Sequence, residues 1–300
     1  MTKLLLIVCL LASGGLAAQD NFDSVKVLSH KLSDHLYFLT GAGGNIGVLS
    51  GSDGTLMVDD QFAPLSTRIQ DAIKQISSEE IRFVVNTHVH GDHSGGNENF
   101  KRLGSTIIAQ DNVRKRMSSD VINSRTKEVT PPRDKDAWPI VTFPQTMSVH
   151  VNDEDVELLY LGPAHTDGDV AVWFKKANAF HLGDMFVTYG YPYIDYEGGG
   201  SISGFISNLD KILLLMNDQT KVIPGHGDLC TKGDVQKFRD ILADIRDQCL
   251  AAFKKGKKPG DIAGLPIASK YDALWGKGFM KGKDFVFQAA ENLSLSIVKK

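Results

Sequence analysis

The stretch "NTHVHGDHSGG", residues 86–96, places His88, His90, Asp92 and His93 within six positions of a chain that has nine histidines in 300 residues. His88 and His90 are two apart, just after the β-branched run "IRFVVNT". In an extended chain that spacing points both imidazoles to one side. Gly91 gives the backbone room for a sharp turn, which brings Asp92 and His93 to the same space. Imidazole nitrogen and carboxylate oxygen are ligands that zinc accepts at about 2.0–2.2 Å. Four such groups crowded together leave polar atoms unpaired or protons in conflict, and a divalent cation removes both costs.

Three later segments share this local setting. "LLYLGPAHTDGD" breaks at Gly162-Pro163 and offers His165, "AFHLGDMF" offers Asp184, and "KVIPGHGD" offers His226. Each follows an apolar strand at its C-terminal end, where α/β sheets gather their sites. A lone histidine after a strand is more often structural. Together with the first cluster, these make seven ligand-type residues, enough for two metal ions.

The elements that must carry them alternate through both halves. "HLYFLT", "NIGVLS" and "TLMVDD", separated by "GAGG" and "GSDG", predict a β-meander. "STRIQDAIKQI" has the helical spacing Ile69, Ile73, Ile76, "IRFVVNT" suits a buried strand, and a second helix is expected near Gly95. Residues 119–138 are polar and uneven, as in a surface excursion. Beyond them "VELLYL", "VAVWF" and "AFHL" predict strands, while "GFISNLDKILLLM" and "VQKFRDILADIRDQCLAAF" predict amphipathic helices. The second helix gathers Phe238, Ile241, Leu242, Ile245 and Cys249 on one face. This alternation predicts a layered α/β architecture with helices covering sheet faces.

The N-terminus predicts export. Lys3, the apolar run Leu4–Ala12 and small residues to Ala18 have the order of a secretory signal peptide, too short to span a bilayer permanently. Residues 1–18 are expected to be removed, Cys9 with them, leaving 19–300 as a single domain that is periplasmic or secreted, with no membrane anchor. An oxidising compartment permits a disulfide between Cys230 and Cys249, and two unpaired thiols fit the sequence equally well. A net charge of −3 without a basic run gives no footprint for nucleic acid, so the expected partner is a small-molecule substrate.

His88-x-His90-x-Asp92-His93, followed by His165, Asp184 and His226, resembles the metallo-β-lactamase superfamily over about Leu36 to Gly227. The resemblance implies a four-layer αβ/βα sandwich with two zinc ions at one edge. It implies that His88, His90 and His165 hold the first zinc, that Asp92, His93 and His226 hold the second, and that Asp184 bridges them. Asp59 matches a family aspartate that sits behind the ligands, although a strand-end turn residue reads nearly as well. Two zinc ions about 3.5–4 Å apart supply hydroxide at neutral pH for attack on a carbonyl, with Asp92 as the catalytic residue that orients it.

The substrate is less legible. Cysteine-containing β-lactamases have Cys where Asp184 stands, and a lysine shortly after it; here Met185, Phe186 and Val187 follow. "FVTYGYPYIDYEGGG" offers Tyr189, Tyr191, Tyr193 and Tyr196, either as a pocket lining or as a packed surface loop. The short turn Thr40–Asn45 predicts an open groove. The leading expectation is an exported zinc hydrolase of a small cyclic amide or ester, β-lactam ring opening first. The alternatives are a lactonase or glyoxalase II-like thioesterase, and a non-catalytic exported metal-binding protein. His181, three before Asp184, is expected to pack or bond locally within its strand.

Overall fold

The computed structural model describes residues 22–123 and 126–298. Residues 1–18, expected from the sequence to be a signal peptide, and Cys9 within them lie outside the described residues.

The chain enters through β1 (Leu28–Lys31), β2 (Leu36–Thr40), β3 (Ile46–Leu49) and β4 (Thr55–Val58), an antiparallel meander as the turn spacing predicts. Helix α1 (Ser66–Lys74) then crosses to β5 (Ile81–Val85), which lies parallel to β4. Two short helices follow, α2 (Gly91–Ser94) and α3 (Asn97–Arg102), where a single helix near Gly95 was expected. β6 (Thr106–Gln110) runs parallel to β5, and α4 (Asp111–Met117) leads to the largely exposed excursion, which holds a small hairpin of β7 (Val121–Ile122) and β8 (Val129–Thr130). β9 (Val141–Phe143) closes a seven-stranded sheet of order β1-β2-β3-β4-β5-β6-β9.

The second sheet has six strands in sequential order: β10 (Thr146–Val151), β11 (Glu154–Tyr160), β12 (Val170–Phe174), β13 (Ala179–His181), β14 (Lys221–Ile223) and β15 (Cys230–Thr231). Helix α5 (Ile202–Leu215) makes the crossover that lets β13 and β14 pair in parallel. Helices α6 (Lys232–Lys254), α7 (Pro259–Ala263), α8 (Asp272–Trp275) and α9 (Gly282–Val298) complete the fold.

Alternation along the strands sorts the apolar side chains into three layers of packing. Leu36, Phe38, Leu56 and Val58 from the first sheet meet Val156, Leu158, Val170 and Val172 from the second, forming the central seam. On the outer face of the first sheet, Val48, Met57 and Val84 pack against Ile69 and Ile73 of α1. On the outer face of the second, Ala171, Phe180 and Val222 pack against Phe205, Leu209, Phe238, Ile245 and Phe285 from α5, α6 and α9. Helix, sheet, sheet, helix is the expected four-layer αβ/βα sandwich.

Cys230 and Cys249 are free thiols, so the permitted disulfide is not formed. Burial pushes both up, Cys230 to about 11 and Cys249 to about 12, which keeps them protonated and unreactive.

Candidate metal centre

β5, β11, β13 and β14 all end at one rim of the sandwich, and the ligand-type residues follow their C-terminal ends, His165 coming after β11. After Val85 the strand ends and the chain bends through residues 87–89, so His88 and His90 are not held by strand alternation, and His90, with φ of −63° and ψ of 151°, becomes the N-cap of α2. Asp92 and His93 lie in the first turn of that helix. The chain does turn at Gly91, but not by using the freedom that glycine allows. Gly91 opens a right-handed helix, and a Cβ on it would meet nothing within 4 Å. Helix geometry, rather than glycine freedom, brings Asp92 and His93 back over His88 and His90.

All seven expected ligands converge. His90 Nδ1 and His165 Nε2 stand 2.9 Å apart, and these atoms form one ligand group with His88. His93 Nε2 and His226 Nε2 stand 3.2 Å apart, and Asp92 Oδ2 is 3.2 Å from His226 Nε2, making a second group. Asp184 lies between them. Its Oδ1 is 3.2 Å from His93 Nε2 and 3.4 Å from His226 Nε2, while its Oδ2 is 3.6 Å from His165 Nε2.

The outward nitrogens of four imidazoles are tied, which decides which nitrogen is free to coordinate. Asp59 Oδ2 accepts from His93 Nδ1 at 2.7 Å, and Tyr193 O accepts from His165 Nδ1 at 2.8 Å. Asp195 Oδ2 accepts from His90 Nε2 at 2.9 Å, and His88 Nδ1 pairs with Thr87 Oγ1 at 3.0 Å. Asp59 is both things the sequence offered. It sits at a strand end with φ of 63°, and its carboxylate also accepts from Thr87 N and Thr87 Oγ1, each at 2.7 Å.

The donor set fits a pair of divalent cations. His88 Nε2 and Asp184 Oδ1 are buried without a hydrogen-bond partner, and both aim into the cluster. Orphaned buried polar atoms are costly and rare, and a cation satisfies both. The charges lean the same way. Burial opposes ionisation of Asp184, yet His93 and the neighbouring imidazoles hold it well below the usual carboxylate range. Asp92, despite its own burial, is brought to about 2 by His226 and His93. Burial and the surrounding imidazoles push His88 far down, and burial with His90 takes His165 to about 4. Burial also works against a charge on His93, but Asp184 and Asp59 overcome it and raise that imidazole well above its ordinary value.

Glycine is required at two points by close approach. A Cβ on Gly44 would lie 2.1 Å from His93 Cε1, and one on Gly225 would lie 2.1 Å from Asp184 Oδ1. The turn at residues 41–44 therefore lies directly on the second ligand group, with Gly44 N donating to Asp92 O at 3.0 Å. Asn45 fixes the far side, its Nδ2 donating to Pro224 O at 2.9 Å and Gly227 O at 2.8 Å around His226.

The tyrosine-rich loop divides. The Tyr189 ring is 5.6 Å from His226 and Tyr193 is 6.1 Å from His165, so these two stand beside the ligands. Tyr191 is fully buried, stacked on Phe285 with its hydroxyl on Ala268 O and Asp272, and Tyr196 reaches Glu291. His181 behaves as a strand residue, buried and paired with Asn45 O at 3.0 Å. Sequence reasoning missed Thr87, Asn45 and Asp195. Asp195 is an acid between aromatic residues in an irregular loop, and no spacing rule marks it.

The metallo-beta-lactamase superfamily profile matches residues 39–226, and the chain belongs to that superfamily. It is accordingly a metal-dependent hydrolase. The metallo-beta-lactamase type 2 of Elizabethkingia meningoseptica is 23% identical over 235 residues, covering 75% of this chain and 89% of that protein. The 2,4-dinitroanisole O-demethylase subunit alpha of a Nocardioides strain is 24% identical over 180 residues, covering 59% of this chain and only 51% of the relative. Among solved structures, the metallo-beta-lactamase from Pontibacter korlensis superposes with a TM-score of 0.59 at 16% identity, covering 73% of this chain and all of that one. The sec-alkylsulfatase Pisa1 of Pseudomonas sp. gives 0.68 at 15% identity, covering 88% of this chain and 50% of its own.

Proposed function

We propose that this protein is an exported dizinc hydrolase that opens a small cyclic amide or ester, with β-lactam ring opening as its lead activity. The observation that carries the reading is the division of the Asp184 carboxylate, one oxygen toward His93 and His226 and the other toward His165. Two zinc ions there would supply a water of lowered pKa and an electrophile for the carbonyl oxygen. His88, His90 and His165 would hold the first ion and Asp92, His93 and His226 the second, with Asp184 available to both.

The remaining roles belong to the chain's own groups. Asp92 keeps part of its carboxylate open to solvent, with 29% side-chain exposure, so it can orient the attacking water and accept its proton. Tyr189 stands beside His226 and Tyr193 beside His165, and their rings offer apolar faces to a small substrate. Met185, Phe186 and Val187 are buried in the core, so the positions after Asp184 supply no cation to grip a substrate carboxylate. That supports a substrate recognised by shape and by its carbonyl. The leader-like residues 1–18 support delivery to the periplasm or beyond, and the breadth of the match to the Elizabethkingia enzyme supports a β-lactam as the first compound to try.

The test is turnover of nitrocefin, a homoserine lactone, a thioester and a secondary alkyl sulfate by zinc-loaded protein, each with and without chelator. Nitrocefin opening that stops with chelator and returns with zinc is the expected result. Turnover of the lactone or thioester alone moves the assignment to those esters, and sulfate-ester cleavage alone moves it to the chemistry of the alkylsulfatase. Inactivity on all four with two zinc ions bound per chain overturns the substrate reading.

A further inference from the structure

We propose that Asp195, carried by the segment 193–200, is a positioning residue for the first metal site, orienting His90 so that the His88–His90–His165 group can hold its ion. The proposal rests on the ligand assignment above. The side chain of His90 could turn either nitrogen toward the cluster. Its Nε2–H donates to Asp195 Oδ2 at 2.9 Å, which leaves Nδ1 facing His165 Nε2. The same segment fixes the second imidazole of the group, because His165 Nδ1–H donates to Tyr193 O at 2.8 Å. One loop thus sets both the orientation and the tautomer of two of the three nitrogens.

The segment is itself held by bonds that do not involve the Asp195 carboxylate. Asp195 N donates to His165 O at 2.9 Å, Gly200 N to Asp195 O at 2.6 Å, and Ser201 N to Ala164 O at 2.7 Å. Asp167 N donates to Gly198 O at 2.8 Å, and Arg116 clamps the Asp167 carboxylate through two bonds of 2.6 and 2.7 Å while donating to Glu197 O at 3.2 Å. Among the described residues one further bond uses the carboxylate: Gly198 N donates to Oδ1 at 2.7 Å. Truncating Asp195 therefore releases His90 while the loop stays in place. The second group, braced by Asp59 on the other side of Asp184, shares none of these partners.

The experiment is cobalt and cadmium titration of the metal-free full-length protein, wild type against Asp195→Ala and Asp195→Asn, with circular dichroism to establish folding. Wild type is expected to bind two ions and to give two cadmium-113 resonances. Asp195→Ala is expected to lose about 10- to 100-fold in affinity at one site, the nitrogen-rich one, with the other unchanged. Asp195→Asn keeps an oxygen acceptor for His90 Nε2–H and is expected to recover most of that loss. In the cobalt form, the exchangeable His90 N–H resonance should be protected from solvent in wild type and lost in Asp195→Ala. Two wild-type affinities in Asp195→Ala overturn the proposal, and so does an equal loss at both sites, which would mark a merely structural role. If Asp195→Ala does not fold, Asp195→Asn decides, and loss at both sites there overturns the proposal. Failure of the wild type itself to bind two ions overturns the ligand assignment, and this proposal with it, before any variant is compared.

Discussion

His90 and His93 lie three residues apart on one turn, yet the carboxylates behind them come from opposite kinds of structure. Asp59, at the end of a central strand, holds His93, and both side chains are fully buried. Asp195, 105 positions from His90 and in an irregular loop, holds an imidazole that is 28% exposed through a carboxylate that is 16% exposed. The Asp59 pair is part of the sandwich: it also caps the strand by accepting from Thr87 N and Thr87 Oγ1. The Asp195 pair is an attachment to the sandwich. Losing a partner costs most where no solvent can replace it, as at the Asp59 pair, and less where some solvent reaches, as at the Asp195 pair.

Asp92 tests the comparison from outside, because its side chain faces the ligands rather than a brace. Asp92→Ala is expected to lower kcat by about 100- to 10,000-fold with the fold intact by circular dichroism. Near-wild-type turnover in that variant would remove Asp92 from the chemistry.

The bracing pair differs next in stability. Asp59→Ala leaves a buried imidazole and two Thr87 donors unpartnered, and about 3–5 kcal/mol is expected to be lost in urea unfolding. Asp195→Ala, whose carboxylate and imidazole partner keep some contact with solvent, is expected to cost less, about 1–2 kcal/mol. Equal losses would erase the distinction between brace and attachment.

A pH series sharpens the same contrast. In metal-free protein the raised pKa of His93 means that its proton stabilises the fold fully below the ordinary value of 6.5, and that this stabilisation is lost as pH climbs through the higher folded value. A bound cation must displace that proton, so zinc affinity should rise over the same interval. Thermal midpoints of chelated protein that climb above pH 6.5, or a zinc affinity that ignores pH there, would contradict the buried His93–Asp59–Asp184 arrangement. The smallest effect belongs to the loop's inner tyrosine. Tyr191→Phe removes bonds to Ala268 O and Asp272 and should cost about 1 kcal/mol without altering turnover.

What could be read in the sequence follows the same division. The strands before His88, Asp184 and His226 are compact apolar runs stopped by polar or Gly/Pro residues, so their ends, and the ligands on them, are legible from local pattern. A layered α/β fold with helices over the sheet faces follows from their alternation with α1, α5 and α6, while the four-layer sandwich is what the family resemblance implies. Asp195 was not legible, because its partner lies far along the chain and its neighbours follow no period. Tyr191 and Tyr193, two apart, looked alike in sequence, and only the packing of α9 against the loop sends one into the core and leaves the other at the rim. The helix α9 carries Phe285, Ala289 and Leu293 at helical spacing, but Gly276 and Gly278 before it and Gly282 as its first residue hide where it starts.

Gly44 and Gly225 constrain how this catalyst can diversify. Every side chain larger than hydrogen at either position collides with His93 or Asp184. Mutational drift beneath the ligands is therefore closed. The rim remains open to variation at Tyr193, 36% exposed, and at Phe279, 66% exposed and tilted against the Tyr189 ring. A lineage selected for a new substrate should record its history on that rim, with the two glycines unchanged beneath it.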